Sequence, residues 1–278
     1  MVDRAAILRE LGLVPVWRLR ASTGMGPGRG LRGEPIEPRT KTDPAAARSA
    51  IEAPGHASAP RESDATSPGD RLQRIAALDW TTFAADVDAC TECGLCRTRN
   101  KSVPGVGDVR AQWLFVGEAP GADEDAKGEP FVGQAGRLLD SMVAALGMRR
   151  GENVYIANVL KCRPPGNRTP EPREVEACRP YLDRQIGLIA PKIIVALGKS
   201  AATTLLNVDA SIASLRGRVH RYQGVPLVVT YHPAYLLRNL PDKAKAWEDL
   251  CLARATLRRS QDGGETIHRL QAAGTAPN

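Results

Sequence analysis

The chain has 278 residues, 38 Lys plus Arg against 31 Asp plus Glu, a net charge of +7, and aromatic residues at only 4%. An apolar share of 42% and a charged share of 25% lie in the globular range and exclude collagen, coiled coil and wholesale disorder. This length allows one or two domains, and no apolar run approaches the roughly 20 residues of a membrane-spanning helix.

Residues 5–20 read AAILRELGLVPVWRLR, an amphipathic turn ending near Gly12 and then a basic stretch carrying Trp17. Charged residues from Asp3 to Arg20 interrupt any secretory leader, so a cytoplasmic protein is expected. From Ala21 to Asp70 there are seven Pro, seven Gly and no aromatic residue. Such a stretch buries too little apolar surface to offset its ordering entropy. The expected organisation is a docking segment over residues 1–20, a disordered linker over 21–77, a folded domain over 78–260 and a flexible tail over 261–278.

Within the folded part, residues 78–90 have helical spacing and residues 112–116 (QWLFV) form a short buried strand entering the loop GEAPG. Residues 134–146 place Leu138, Leu139, Met142, Val143 and Leu146 on one helical face, stopped by Gly147. A second strand spans 153–160, and a proline-rich loop leads to a helix over 172–189. A third strand over 192–197 precedes a helix of small residues, and 218–222 and 225–230 form a hairpin around Gln223-Gly224. Residues 244–258 close the domain as a helix. This alternation predicts the α/β class, a three-layer α/β/α sandwich around a mainly parallel sheet. Ligands then bind beyond the carboxyl ends of the strands, where residues 117–125, 158–167 and 232–238 fall.

Cys90, Cys93 and Cys96 form CxxCxxC, Cys162 and Cys178 lie further on, and Cys251 stands alone. In a reducing compartment such cysteines are metal or catalytic groups before they are disulfides. Two thiolates from the first group with Cys162 and Cys178 complete a zinc or iron-sulfur site, and spacing does not separate the two metals; buried free thiols are the competing reading. Glu118 leaves a strand end within a turn, with Glu124 and Asp125 on the same acidic loop, which could equally be solvated. The Phe131 ring could be core or a stacking plate. Asn158 ends an apolar strand at the ligand edge, where its paired donor and acceptor suit a nucleobase. His232 has the same address, although a lone histidine is often structural.

GEAPGADED, GEPFVGQAG, NVLKCRPPGNRTP and HPAYLLR, in that order and spacing, resemble family 4 uracil-DNA glycosylases of bacteria and archaea. The resemblance runs over residues 79–258 and implies the uracil-DNA glycosylase fold, monomeric action on uracil-containing DNA, single- or double-stranded, and a structural 4Fe-4S cluster. Its ligand pattern falls on Cys90, Cys93, Cys162 and Cys178, leaving Cys96 and Cys251 spare. It further implies that the base is flipped into a pocket, with Phe131 stacking on uracil, Asn158 reading O4 and N3–H, and Ala119 beside them. His232 donates to O2 as negative charge develops. Glu118 stabilises the sugar cation or positions water, with Glu124 and Asn167 in support. Leu236 or Leu237 fills the vacated stack and Arg238 holds phosphate.

Residues 5–20 resemble the amino-terminal peptide of the psi subunit of the bacterial DNA polymerase III clamp loader. That likeness implies recruitment to a clamp loader or other replication protein, with Trp17 as anchor; packing of this helix on the catalytic domain is the alternative. Two other function classes compete. An electron-transfer or redox-sensing protein would use the cysteines alone, and a non-catalytic nucleic-acid module would use only the basic charge.

Overall fold

The computed structural model describes residues 68–273, with side chains described through residue 261. The docking segment and most of the expected linker lie outside the described residues. The sheet has six strands in the order β1-β3-β2-β4-β6-β5: β1 (Val106–Gly107), β2 (Trp113–Gly117), β3 (Val154–Asn158), β4 (Ile193–Leu197), β5 (Val219–Tyr222) and β6 (Val225–Thr230). β2, β3, β4 and β6 are mutually parallel, while the edge strands β1 and β5 run antiparallel.

Each central strand is an unbroken apolar run because both of its faces are covered. Alternation along the strands sorts the side chains. Leu114, Val116, Ile194, Ala196, Leu227 and Val229 share one core with Leu182, Ile186, Ala201 and Leu205. Those partners come from helices Pro172–Ile189 and Lys199–Leu206. Trp113, Phe115, Ile193, Val195 and Val228 face the other way, onto Leu139, Val143, Leu250 and Ala253 of helices Gln134–Ala145 and Lys243–Ala273. These two cores make the expected three layers.

Two boundaries differ from expectation. Residues 68–77, assigned to the linker, form helix α1 (Pro68–Ala77), and Ile75 is 1% exposed in a satellite core with Phe83, Val87 and Tyr181. The segment is poor in apolar residues, but a distant helix supplies Tyr181 against Ile75, and Arg71 adds a hydrogen bond to the Ala177 carbonyl at 2.7 Å and an ion pair with Glu92 at 3.2 Å. α2 (Trp80–Ala89) follows, started by Asp79, whose carboxylate accepts from the amides of Thr81 and Thr82. At the other end the last helix continues to Ala273 across residues read as tail. Gly147 follows Gln134–Ala145 with φ 80°, the left-handed stop that its position predicts.

The sheet order places the chain reversal at β2, with β3 on one side and β4 on the other. A crevice opens there beyond the carboxyl ends of the strands, as it does in doubly wound sheets. The short helix α3 (Ala122–Lys127) and helix α4 (Gln134–Ala145) follow β2; α5 (Pro172–Ile189), α6 (Lys199–Leu206) and α7 (Ile212–Leu215) line the Leu114 side of the sheet. α8 (Pro233–Arg238) leaves β6, and α9 is the long final helix Lys243–Ala273.

Candidate active site

A cavity of about 470 Å³ sits in that crevice, lined by Glu118, Ala119, Glu124, Phe131, Asn158, Asn167, Arg168, His232 and Arg238, among others. Every one comes from a segment that leaves a central strand at its carboxyl end. Residues separated by more than a hundred positions therefore meet because parallel strands all discharge their loops on one side.

Gly117, the last residue of β2, lies against two of these side chains. A Cβ there would stand 2.4 Å from Asn158 Oδ1 and 2.7 Å from the Phe131 ring, so only glycine lets the amide and the ring approach each other. Asn158 is 2% exposed, and its Oδ1 has no hydrogen-bond partner among the described residues. A buried acceptor left open costs about 1–3 kcal/mol, a cost that a ligand donating an N–H would remove.

The His232 imidazole lies 5.5 Å from the Phe131 ring, centroid to centroid, tilted by 31°. His232 is the N-cap of α8, and its Nδ1 accepts the Ala234 amide at 3.1 Å. A nitrogen accepting a hydrogen bond carries no proton, so the ring hydrogen resides on Nε2. Burial pushes the imidazole pKa down to about 4, with Glu124 opposing and Arg238 adding to the shift. The group at neutral pH is thus an uncharged donor.

Glu118 follows Gly117 directly. Burial raises its carboxyl pKa while a hydrogen bond from Ser200 works against the rise, so the anion there is poorly solvated. Glu124 has different employment. Its Oε2 accepts from the Gly121 amide at 3.1 Å, and its Oε1 from the amides of Val132 and Gly133 at 3.0 and 3.3 Å. The acidic run is therefore not a solvated loop: it forms α3, Glu124 ties α3 to the turn that carries Phe131, and Asp125 is buried against Asn100. Asn167 stands exposed at the rim with φ 55°, its Oδ1 accepting from Arg163 Nε at 2.7 Å. The proline-rich wall is anchored by Arg168, whose guanidinium forks onto Glu174 of α5 at 2.6 and 2.9 Å. That anchor had no signal in the linear pattern.

Of the two leucines read as wedge candidates, the structure removes one. Leu236 is 1% exposed and packs with Tyr231 and Ala246, whereas Leu237 is 39% exposed beside the mouth residue Arg238. Leu240, 61% exposed, is a neighbour that periodicity did not single out. Leu236→Ala is expected to destabilise the fold by about 2–5 kcal/mol, the usual cost of a buried leucine truncation, read by denaturant unfolding. Leu237→Ala is expected to leave stability within about 0.5 kcal/mol.

Four cysteines converge on the far side of the loop that follows Asn158. Cys93, Cys162 and Cys178 pack on the same core; burial pushes all three thiol pKa values up, and the nearby Cys90 adds to each rise. Burial pushes Cys178 up to about 12. Donors surround the group: Arg99 Nη1 lies 2.9 Å from Cys162 Sγ, the Lys161 amide 3.3 Å from Cys178 Sγ, and Arg71 Nη2 3.9 Å from Cys90 Sγ. Cys96 lies near Cys93, and Cys251 lies on α9, which covers the opposite face of the sheet. Among the described residues no three His, Cys, Asp or Glu side chains are gathered to hold a single metal ion. Lys161, between Asn158 and Cys162, is fully buried, its ammonium donating to the Asn158 carbonyl and to Gln185. Sequence pattern gave no hint of it.

Fold and cavity together define an α/β/α protein whose strand-end crevice brings an aromatic ring, an open amide acceptor, an uncharged imidazole and a half-buried carboxylate together. Residues 104–251 match the family model described as the uracil DNA glycosylase superfamily. Over 160 residues the chain is 49% identical to the type-4 uracil-DNA glycosylase of Archaeoglobus fulgidus, covering 55% of this chain and 80% of that one. Over 177 residues it is 42% identical to the type-4 enzyme of Thermotoga maritima, covering 62% and 92%. A type-5 uracil-DNA glycosylase of Pyrobaculum aerophilum is 32% identical over 155 residues, covering 50% and 68%. The chain belongs to the uracil DNA glycosylase superfamily, in its type-4 branch.

Proposed function

We propose that this cavity receives deoxyuridine flipped out of DNA, and that the protein hydrolyses its N-glycosidic bond in base excision repair, releasing uracil and leaving an abasic site. The observation that carries the reading is the unpartnered Asn158 Oδ1 beside the Phe131 and His232 rings. Uracil N3–H supplies the missing donor, the Asn158 amide nitrogen donates to O4, and Phe131 stacks on the ring. Cytosine carries an acceptor at N3 and a donor at position 4, so it would leave both groups mismatched.

As the C1′–N1 bond breaks, its electron pair passes into the uracil ring and onto O2, and C1′ takes on cationic character. His232 Nε2–H donates to O2, an interaction that strengthens as charge grows. Because the imidazole is neutral, it stabilises the uracil anion without surrendering its proton. Glu118 lies desolvated in the free enzyme, so a developing sugar cation relieves it; it also orients the water whose oxygen adds to C1′ and whose proton passes through solvent to the departing uracil anion, leaving neutral uracil. Ala119 borders the base. Glu124 acts through the Phe131 turn, and Asn167 steadies the rim. Leu237 occupies the gap in the stack, and Arg238 holds a flanking phosphate.

Cys90, Cys93, Cys162 and Cys178 are the proposed ligands of a 4Fe-4S cluster. The support is chemical: the group is all thiol, the donor set such a cluster would take. The Arg71, Arg99 and Lys161 donors face the net negative charge of a tetrathiolate cluster. When bound, the cluster supplies a crosslink between the segment after α2, the loop after β3 and helix α5. Cys178→Ala is expected to abolish visible absorbance and protein-bound iron and sulfide and to lower the thermal midpoint; unchanged absorbance would remove Cys178 from the ligand set.

The protein is proposed to act on single- or double-stranded DNA as a cytoplasmic monomer. Among the described residues no helix is long and apolar enough to cross a membrane. Residues 5–20 remain the proposed docking point for a clamp loader, supported by their amphipathic pattern and Trp17. The function is tested by incubating the purified protein with a uracil-containing oligonucleotide, then treating with alkali. Strand scission at the uracil position is expected, and intact strands would overturn the reading.

A further inference from the structure

Phe131 delivers its ring to the cavity from φ 55°, a left-handed backbone that a bulky side chain adopts only when its surroundings over-determine it. Two charged side chains hold this turn from opposite sides. Glu124 accepts the amides of Val132 and Gly133 after the ring. Arg150 grips the carbonyls before and at it: Nη1 donates to Pro130 O at 3.0 Å and Nη2 to Phe131 O at 2.8 Å. The Arg150 Nε donates to Asp140 Oδ1 of α4 at 2.8 Å, which aims the guanidinium, and Glu129 lies 3.6 Å from it. The Phe131 carbonyl is also boxed in by Gly136, where a Cβ would stand 1.7 Å from the oxygen. Arg150 itself does not line the cavity.

We propose that Arg150, aimed by Asp140, is a positioning residue for uracil recognition: its fork fixes the Pro130–Phe131 backbone and thereby the plane on which the base stacks. This rests on the uracil reading of the cavity. The planar fork spans two successive carbonyls at once, which the point charge of a lysine does not reproduce.

The test uses the full-length protein and measures affinity for free uracil, by product inhibition and direct titration, together with the thermal midpoint. Arg150→Lys keeps the charge opposite Asp140 and Glu129 and is expected to fold. It should weaken uracil binding about tenfold, the loss expected when one base–aromatic stack is misplaced. Arg150→Ala should weaken it at least as much, and the Arg150→Ala/Phe131→Ala double variant should bind no more weakly than Phe131→Ala alone, because Arg150 acts through that ring. Wild-type affinity in Arg150→Lys, or losses that add in the double variant, would overturn the proposal while leaving the glycosylase reading intact. A wild-type protein that neither binds nor releases uracil would overturn both.

Discussion

His232→Ala should slow single-turnover release of uracil from single-stranded DNA by about 100- to 1,000-fold, the loss typical of one donor aimed at a developing oxyanion. A single-stranded substrate removes the cost of opening the duplex, so the measurement isolates the chemical step. Near-normal cleavage would sink the proposed role. The same residue predicts a pH signature. Its folded pKa of about 4 lies below the ordinary histidine value of about 6.5, so between the two the unfolded chain binds a proton that the folded chain does not. Stability therefore falls as pH drops from about 6.5 to about 4, by about 3 kcal/mol in total, and is flat in this group above that window. Protonation would also set a cationic Nδ1–H against the Ala234 amide. His232→Gln should remove that slope from chemical denaturation curves. Glycosylase activity should hold down to near pH 4 in the part of the profile governed by this residue.

Asn158→Asp is expected to cut the discrimination of uracil from cytosine by up to about 10⁴-fold, the order by which a site built to pair with a polar edge rejects its mismatch. The change is isosteric and replaces an amide, whose donor and acceptor are fixed, with a carboxyl group. At 2% exposure burial favours the protonated acid, whose hydrogen can sit on either oxygen, so it can donate to cytosine N3 and accept from the 4-amino group, or donate to uracil O4 and accept from N3–H. The expected result is a collapse of the preference, with cytosine release becoming detectable beside uracil release on matched oligonucleotides. Retained rejection of cytosine would show that the amide does not read the base.

Much of this was legible in the linear chain because strands buried on both faces must be apolar throughout. QWLFV, NVYIANVL and KIIVAL therefore announce themselves, and polar residues that end such runs, Glu118, Asn158 and His232, stand out by contrast. What failed did so for identifiable reasons. Leu236 and Leu237 sit on a helix of six residues, too short for periodicity to fix which side faces the core. Helix α1 was hidden because its docking partner Tyr181 lies on α5, over a hundred residues away. How Glu124 acts was equally hidden, because the amides it accepts from lie eight and nine residues downstream. Lys161 and Arg150 gave no signal, since a lone basic residue in a loop is read as solvent-facing until its partners are placed.

The sequence by itself determined the succession of strands along the chain and the residue types at each strand end. Those follow from local periodicity and side-chain chemistry, which need no knowledge of neighbours. Only the tertiary structure decided the tautomer and charge of His232, the unmet acceptor of Asn158 and the clamp on Phe131. Each of these is set by burial and by hydrogen-bond partners brought in by other segments, and burial is a property of the assembled sheet and its two helical layers, not of any segment alone.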